Sequence, residues 1–305
     1  MPSKHYLVFD ISNLLYRTFF INKKEDDVTV AGLATHMALT TLNKYFKQYQ
    51  PHKVVMAFDR PSWRKEYTKT DACVSKKLYK GNRRQKMTPK EKEKYREFME
   101  HLKDFENMMR EHTSVICLTS DRLEADDLVA GFVQMYADEN DITIVSSDKD
   151  FIQLLAYPNV VLMDPNSGKA RTLDDWDGDA ELFMFEKCLR GDPGDNVQSA
   201  LPRIKKTRIR KAYKDPFERA NVMHATWTAP DGTEFIVKHL FKENELLMDL
   251  RCQPEDIERK MVTTIMKGMK DPGHFNYFHF MKFLGKYELK KIADQAELFA
   301  NMLSR

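Results

Sequence analysis

Tyr6-Leu7-Val8-Phe9-Asp10 is a short apolar run that ends at a carboxylate, and this pattern recurs along the chain. Lys53 to Asp59 and Ile142 to Asp148 repeat it. Between such runs, apolar residues recur at helical spacing, as in residues 31–48. Strands that alternate with helices predict an α/β fold with a mostly parallel, twisted sheet and helices on both faces. The predicted strands are residues 6–9, 53–58, 115–118, 142–145 and 160–163.

The acidic residues occur where such a sheet would bring them together. Ligands of parallel sheets bind beyond the carboxyl ends of the strands, and Asp10, Asp59 and Asp148 follow three predicted strands. Gathered carboxylates repel one another and require cations. Oxygen ligands without His or Cys favour Mg²⁺, with Mn²⁺ as a substitute, and two ions roughly 3.5–4 Å apart suit phosphodiester hydrolysis. The candidate metal ligands are Asp10, Asp59, Glu124, Asp126, Asp127, Asp148, Asp150, Asp192 and Asp195.

Taken one at a time, these acidic clusters have simpler explanations. Residues 124–127 also suit an ordinary helix start, because carboxylates are favoured at a helix N-terminus. Gly191 to Val197 also suits a plain turn between two helices. The metal hypothesis depends on the clusters sharing one edge of the sheet.

Aromatic residues are interleaved with cations across two stretches, Trp63-Arg64-Lys65-Glu66-Tyr67 and Tyr79-Lys80-Gly81-Asn82-Arg83-Arg84. A basic run is commonly only a solvated face, but here cations could hold phosphates while a ring stacks on a base. Lys80 and Arg83 would supply charge opposite the metal ions. A dense basic stretch from Arg203 to Lys211 suits phosphate contacts, which position a duplex without reading its sequence. The candidate DNA-binding residues are Arg64, Tyr67, Tyr79, Arg84, Arg203, Lys205, Lys206 and Arg208.

Composition narrows the class of protein. The 305 residues, 42% of them hydrophobic, allow one large α/β domain or two smaller ones. A net charge of +3 confines polyanion binding to local patches. The four cysteines have no CxxC spacing, which argues against a zinc site or a disulfide framework. Without a signal peptide or a membrane-spanning stretch, we expect a cytoplasmic protein with no membrane partner.

The ordered set of motifs resembles the flap endonuclease, or 5′-nuclease, family and, within it, the T-even phage RNase H branch. The resemblance covers roughly the first two thirds of the chain. The motifs are Val8-Phe9-Asp10, Ala57-Phe58-Asp59, Tyr79-Lys80-Gly81-Asn82-Arg83, Glu124-Ala125-Asp126-Asp127, Ser146-Ser147-Asp148-Lys149-Asp150-Phe151 and Gly191-Asp192-Pro193-Gly194-Asp195-Asn196-Val197.

This resemblance implies a PIN-like nuclease core over residues 1–182 with a basic helical arch at about 60–112. It also implies a mainly helical domain over residues 183–305 that binds duplex DNA through a helix–three-turn–helix-like element. Lys80 and Arg83 would contact the scissile phosphate, and Tyr79 would stack on a base. The implied ligands are Asp10, Asp59, Glu124, Asp126 and Asp148 for one metal ion, and Asp127, Asp150, Asp192 and Asp195 for the other.

The chain departs from the family in one loop. Most members follow Gly-Asp-Asn-Val with a Gly-x-Gly loop that holds a monovalent cation and a DNA phosphate. Residues 198–207 contain no glycine, and glycine is what allows close backbone approach. This argues against a K⁺ site, and the charges of Lys205, Lys206 and Arg208 would take its place.

We therefore expect a Mg²⁺-dependent 5′→3′ exonuclease and flap endonuclease with RNase H activity. It would remove RNA primers and 5′ flaps in phage DNA replication, acting as a monomer in the host cytoplasm on flap, forked or nicked duplex DNA and on RNA–DNA hybrid. Single-stranded-DNA-binding protein and a sliding clamp are the implied protein partners. Residues 295–299 resemble a clamp-binding peptide, although an amphipathic helix explains them equally well. Two alternatives stay open, namely a catalytically inactive nucleic-acid-binding protein and a PIN-type ribonuclease.

Overall fold

A parallel five-stranded sheet forms the centre of the protein. The computed structural model describes residues 3–21, 27–82 and 88–305, and for residues 17–21 and 27–29 it describes the backbone alone. All neighbouring strands are parallel, in the order β3-β2-β1-β4-β5, which confirms the predicted sheet. These strands are β1 (His5–Asp10), β2 (Lys53–Ala57), β3 (Ile116–Leu118), β4 (Asp141–Val145) and β5 (Val160–Met163).

Helices connect the strands and make up most of the remaining chain. A hairpin is present as an antiparallel pair of short strands, β6 (Thr226–Thr228) and β7 (Glu234–Ile236). Residues Lys149–Ala156 and Asp174–Trp176 form 3₁₀ helices. The α-helices are α1 (Ile11–Ile21), α2 (Asp27–Tyr49), α3 (Trp63–Tyr67), α4 (Pro89–His112), α5 (Ala125–Tyr136), α6 (Ala180–Arg190), α7 (Lys206–Lys214), α8 (Pro216–His224), α9 (Val237–Met248), α10 (Glu255–Lys270), α11 (Tyr277–Lys286), α12 (Lys290–Ala293) and α13 (Ala296–Leu303).

The two faces of the sheet belong to two separate apolar cores. Successive strand residues point to opposite faces. Val8 of β1 therefore packs in one core with Leu128 of α5, whereas Leu7 and Phe9 pack in the other with Leu39 of α2. A sheet covered on both faces needs apolar residues at nearly every strand position, which is why these strands read as unbroken apolar runs.

The order of the strands creates a binding crevice beside β1. The chain passes from β1 to β2 and β3 on one side, and then to β4 and β5 on the other side of β1. This reversal between β1 and β4 is a topological switch point, where open α/β sheets bind ligands beyond the carboxyl ends of the strands. Asp10 is the last residue of β1.

Helix α4 extends from the core towards solvent at its N-terminal end. A capping box starts the helix, because Thr88 Oγ1 accepts from the backbone N–H of Glu91 (3.3 Å) and Glu91 Oε2 accepts from that of Thr88 (2.8 Å). Phe98, Leu102 and Phe105 farther along the helix are buried in the core. The predicted basic arch thus corresponds to α3, α4 and the segment between them, of which residues 83–87 lie outside the described residues.

The C-terminal third is mainly helical, as predicted. Helices α6 to α9 build a smaller apolar core of their own, whereas α11 and α13 pack back onto the core beneath the sheet. Phe299 of α13 is buried there, which favours the amphipathic-helix interpretation of residues 295–299. The division into domains at residue 182 stays a prediction. In the described residues, no helix combines the length and apolar character needed to cross a membrane.

Candidate active site

Eight of the nine predicted carboxylates line one cavity at the carboxyl end of the sheet. The cavity has a volume of about 1520 Å³. Its wall on the arch side carries cations, among them Lys65 of α3 and Arg96 and Lys103 of α4. The structure therefore brings together residues that are far apart in sequence. The predicted carboxylates that line the cavity are Asp10, Asp59, Glu124, Asp126, Asp148, Asp150, Asp192 and Asp195.

Asp10 and Asp148 lie close together because β1 and β4 are neighbours in the sheet. Asp10 Oδ2 accepts a hydrogen bond from Ser146 Oγ (3.2 Å), and Ser146 Oγ accepts one from the backbone N–H of Asp148 (3.1 Å). The backbone N–H of Asp150 then donates to Asp148 Oδ1 (2.9 Å). Strand pairing and this chain of hydrogen bonds fix three carboxylates relative to one another.

Asp59 joins the end of β2 to the start of α5. Its Oδ1 accepts a hydrogen bond from the backbone N–H of Ala125 (2.8 Å), and its own N–H donates to Ser12 Oγ (2.9 Å). A helix N-terminus carries partial positive charge, so the start of α5 favours a carboxylate at this position. Asp126 lies in the first turn of α5 and adds a further carboxylate to the cavity.

The pKa values of the carboxylates reflect their crowding. Burial and the neighbouring Asp59 raise the pKa of Asp10 to about 8. Burial also raises the pKa of Asp150 to about 6, although the charge of Lys187 opposes this rise. An added cation would stabilise the ionised carboxylates. The cavity is thus short of positive charge.

The chemistry of these donors fits a hard divalent ion. The cluster offers carboxylate oxygens and contains no His or Cys, which is the ligand type that Mg²⁺ and Mn²⁺ prefer. As the side chains stand, no three His, Cys, Asp or Glu residues in the described ranges form a ready-made ion site. Two of the carboxylates form ion pairs with lysines instead, Glu124 with Lys80 and Asp150 with Lys187. Ion binding would therefore require side chains to turn towards a shared point.

Lys80 is held at the centre of the cluster. Its Nζ lies 2.6 Å from Glu124 Oε1 and 3.6 Å from Asp195 Oδ2. Burial acts to raise the pKa of Glu124, but Lys80 and Arg64 outweigh it and lower this pKa to about 2. The Lys80 backbone is left-handed (φ +54°), and its N–H donates to the carbonyl of Asp195 (2.8 Å). This bond stabilises a conformation that non-glycine residues rarely adopt.

The turn after α6 supports the segment that carries Lys80. Asn196 Nδ2 donates to the carbonyl of Leu78 (2.9 Å), and Tyr79 Oη donates to Asp195 Oδ2 (2.8 Å). Gly191 begins the turn at φ +68°, and a Cβ there would lie 2.7 Å from backbone atoms of the following loop. Only glycine fits this position. The turn thus stabilises the conformation of the segment that carries Lys80.

Asp127, which was predicted among the metal ligands, does not line the cavity. Its Oδ1 and Oδ2 accept hydrogen bonds from Arg64 Nη2 (2.8 Å) and Nη1 (3.0 Å), and Gln253 Nε2 also donates to Oδ1 (2.9 Å). Arg64, which was predicted to contact DNA, has a side chain that is only 1% exposed. Arg64 Nε donates to the carbonyl of Leu247 (2.7 Å). The pair joins α3, α5 and α9.

The aromatic residues of the predicted arch are less exposed than expected for residues that contact DNA. Tyr79 was expected to stack on a base, but its ring is buried at 3% exposure and Lys80 Nζ lies 4.9 Å from the ring centroid. The Tyr79–Asp195 hydrogen bond holds the side chain inward. Tyr67 is half-buried, and its hydroxyl donates to the carbonyl of Ala72 (3.3 Å).

The basic residues after the turn remain accessible. Arg203, Lys205 and Lys206 are exposed where the loop leads into α7. Arg208 is also exposed, but its Nε lies 2.9 Å from Glu218 Oε1, so part of its charge is already paired. Two further predicted residues, Arg83 and Arg84, lie outside the described residues.

Sequence reasoning missed Lys187. This residue lies in α6, and its Nζ forms an ion pair with Asp150 Oδ1, with 11% of the lysine side chain exposed. A lysine within a helix gives no signal in sequence, because surface helices contain many lysines. Only the packing of α6 against the 3₁₀ helix Lys149–Ala156 identifies it.

Comparison with known proteins identifies one matching family and relatives that are named as nucleases. Residues 5–180 match the family described as 5′-3′ exonuclease, N-terminal resolvase-like domain. The chain is 26% identical over 285 residues to "Ribonuclease H" of Enterobacteria phage T4, covering 90% of each protein. It is 28% identical over 160 residues to "Flap endonuclease Xni" of Aliivibrio salmonicida, covering 50% of this chain and 53% of the relative.

Solved structures show the same fold. The T5 D15 protein co-crystallised with metal ions superposes with a TM-score of 0.65 at 20% identity, covering 87% of this chain and 99% of that protein. A bacteriophage T5 D15 flap endonuclease complex with DNA and metal ions gives a TM-score of 0.64 at 20% identity, with 88% and 100% coverage.

Proposed function

The chain belongs to the 5′-3′ exonuclease family, and from this membership we propose a Mg²⁺-dependent 5′→3′ exonuclease and flap endonuclease that also degrades RNA in RNA–DNA hybrid. The observation that carries the proposal is the gathering of eight carboxylates in one cavity that Lys80 also lines. Such a cavity repels an anionic substrate unless cations are added. A metal-dependent nuclease explains both the negative charge of the cavity and its binding of an anionic substrate.

Two groups of carboxylates would hold two Mg²⁺ ions, for which Mn²⁺ could substitute. When bound, the ions would activate water and offset charge on the phosphate. Asp127 would act on the site through Arg64, which contacts Glu124 (3.4 Å), rather than as a ligand. The ligands proposed for the first ion are Asp10, Asp59, Glu124, Asp126 and Asp148, and those for the second are Asp150, Asp192 and Asp195.

Lys80 would bind the scissile phosphate. Its ammonium is paired with Glu124, so cations bound to the carboxylates would free it to face the substrate. A fixed positive charge at the phosphate stabilises the charge that develops in the transition state. Arg83, which follows in the same segment, is proposed for the same task.

Duplex DNA would lie along the loop that leads into α7. Arg203, Lys205 and Lys206 are exposed there, and lysine and arginine contacts to phosphates position a duplex without reading its sequence. This surface favours flap, forked or nicked duplex and RNA–DNA hybrid over single-stranded RNA. It therefore argues against a PIN-type ribonuclease that acts on RNA alone.

The biological role that we propose is removal of RNA primers and 5′ flaps in phage DNA replication. The name of the phage T4 relative, Ribonuclease H, supports it. The protein would act as a monomer in the host cytoplasm, with single-stranded-DNA-binding protein and a sliding clamp as partners. The alternative, a catalytically inactive nucleic-acid-binding protein, does not explain why eight of the predicted carboxylates line one cavity.

Cleavage of a labelled 5′-flap duplex in Mg²⁺ tests the proposal. We expect cleavage that EDTA abolishes, a slower reaction on single-stranded RNA, and no cleavage by Asp148→Asn. Asp141→Asn is the matched control, because Asp141 lies at the opposite, exposed end of the same strand β4. Equal cleavage by wild type and Asp148→Asn, or cleavage that persists in EDTA, would contradict the metal mechanism.

A further inference from the structure

Lys187 brings a positive charge into one half of the carboxylate cluster. It extends from α6, which packs on the 3₁₀ helix that carries Asp150. The lysine Nζ and Asp150 Oδ1 form an ion pair in which 11% of the lysine and 21% of the aspartate side chain are exposed. Asp192 and Asp148 are close enough to add to the attraction.

The charge on Lys187 is held by these carboxylates. Its ammonium is paired with Asp150, and little of the lysine side chain reaches solvent. A nearly buried charge persists only when it is paired, and the neighbouring residues Cys188 and Leu189 of α6 are apolar and buried.

The other half of the cluster holds the ligands proposed for the first ion. Its Asp10 differs from Asp150 in the groups that it contacts. Its two oxygens accept from neutral donors, the backbone N–H of Asn13 (3.1 Å) and the hydroxyl of Ser146 (3.2 Å). An ion that binds Asp10 displaces no positive charge from it. An ion that binds Asp150 must instead repel or displace the ammonium of Lys187. Lys80 is paired with Glu124 in the first half (2.6 Å), so both halves contain a lysine, and the particular barrier at Asp150 is direct competition with Lys187.

We propose that Lys187 is an internal counter-ion that occupies Asp150 until the second metal ion displaces it. This inference rests on the proposed function. Lys187 weakens the binding of the second ion when no nucleic acid is present, because its ammonium is paired with Asp150. Substrate phosphates add negative charge to the cavity, and Mg²⁺ commonly combines one or two carboxylates with such phosphates. Lys187 thus couples loading of the second ion to arrival of the substrate, as a positioning residue rather than a catalytic one.

Mn²⁺ binding without DNA tests this role, measured by the electron paramagnetic resonance signal of free Mn²⁺. We expect wild type to bind a second ion at least tenfold more weakly than the first. Lys187→Met should strengthen binding of the second ion at least tenfold, which corresponds to about 1.4 kcal/mol. Lys187→Arg should keep the wild-type difference in affinity between the two ions. Lys291→Met, at an exposed lysine of α12, is the control of equal charge.

The outcomes separate this inference from the proposed function. A folded Lys187→Met protein with the wild-type gap between the two ions overturns the inference alone, provided that wild type binds two ions and cleaves flaps. A wild-type protein that binds no Mn²⁺ and cleaves no flap overturns both proposals. Adding Asp150→Asn to Lys187→Met should abolish the gain in affinity, since the gain requires the freed carboxylate.

A second measurement keeps the test decisive if Lys187→Met does not fold. The ¹⁵N-labelled ammonium group of Lys187 in the wild-type protein can be followed by NMR during Mg²⁺ titration. Its signal should shift with the second equivalent of Mg²⁺ and not with the first. A shift that accompanies the first equivalent, or no shift over the whole titration, contradicts displacement by the second ion.

Discussion

Arg64 and Asp127 form a bidentate ion pair that is almost completely removed from solvent. The two nitrogen–oxygen distances are 2.8 and 3.0 Å, and the side chains are 1% and 0% exposed. A charged pair this deep is stable only when both members are present, because either one alone is a buried, uncompensated charge. The pair fixes the start of α5, which carries Glu124 and Asp126 into the cavity.

Arg64→Met should lower the free energy of unfolding by about 3–5 kcal/mol, because it leaves Asp127 buried without its partner. Urea denaturation of the metal-free protein measures this loss. Arg259→Met is the control, since Arg259 pairs with Glu255 on the surface (2.8 Å), where such a pair contributes at most about 1 kcal/mol. Equal losses in the two variants would show that burial of the ion pair has no special importance.

Lys80→Met should slow single-turnover flap cleavage by about 10²–10³-fold, the usual cost of losing one donor that stabilises transition-state charge. DNA affinity should change far less, because the main duplex contacts are expected near α7. Lys77→Met provides the control, as an exposed lysine in the same segment. A loss confined to DNA affinity would assign Lys80 to binding rather than to chemistry.

The stability of the metal-free protein should fall as the pH rises through about 8. The pKa of Asp10 is raised to about 8 in the folded protein, so the folded state holds this proton more tightly than the unfolded chain does. The resulting stabilisation is complete below the unfolded pKa of about 4 and is lost as the pH rises through the folded value. Asp10→Asn mimics the protonated side chain and should be more stable than wild type at pH 9 in EDTA, but similar at pH 5. Chemical denaturation at several pH values measures the difference, and a constant difference contradicts the assignment.

Acid should destabilise the protein through His101. Burial lowers the pKa of this histidine to about 4, and its Nε2 lies 2.9 Å from Thr35 Oγ1 between α2 and α4. The unfolded chain therefore binds a proton before the folded protein does, and the contribution present above pH 6.5 is lost as the pH falls towards 4. The loss should reach about 3 kcal/mol. His101→Gln should flatten this part of the profile, whereas His239→Gln, at an exposed histidine, should leave it unchanged.

Lys205→Gln should weaken duplex binding equally for all sequences and reduce the salt dependence. Loss of one phosphate contact lowers the slope of log affinity against log salt by about 0.9. Fluorescence anisotropy over a range of KCl concentrations measures this slope. Lys291→Gln should leave it unchanged, and a Lys205→Gln protein with the wild-type slope would remove Lys205 from the DNA surface.

Much of the fold could be predicted from local sequence because the sheet is buried on both faces. A doubly covered parallel strand needs an unbroken apolar run, and the sequences of β1, β2, β4 and β5 show such runs. The rule that ligands bind at the carboxyl ends of strands then placed Asp10, Asp59 and Asp148 at one edge, where the structure has them.

The sequence by itself thus determined the parallel sheet and the edge at which the carboxylates gather, since strand period and chain direction are local properties. Only the tertiary structure decided which neighbour each charged side chain meets. Asp127 turned inward to Arg64, Tyr79 turned inward to Asp195, and Lys187 reached Asp150. Each of these contacts joins segments that are far apart in the chain, and burial makes such pairing obligatory because an unpaired charge or hydroxyl in a low-dielectric interior is costly. Residue type and spacing specify the charge, but packing selects its partner.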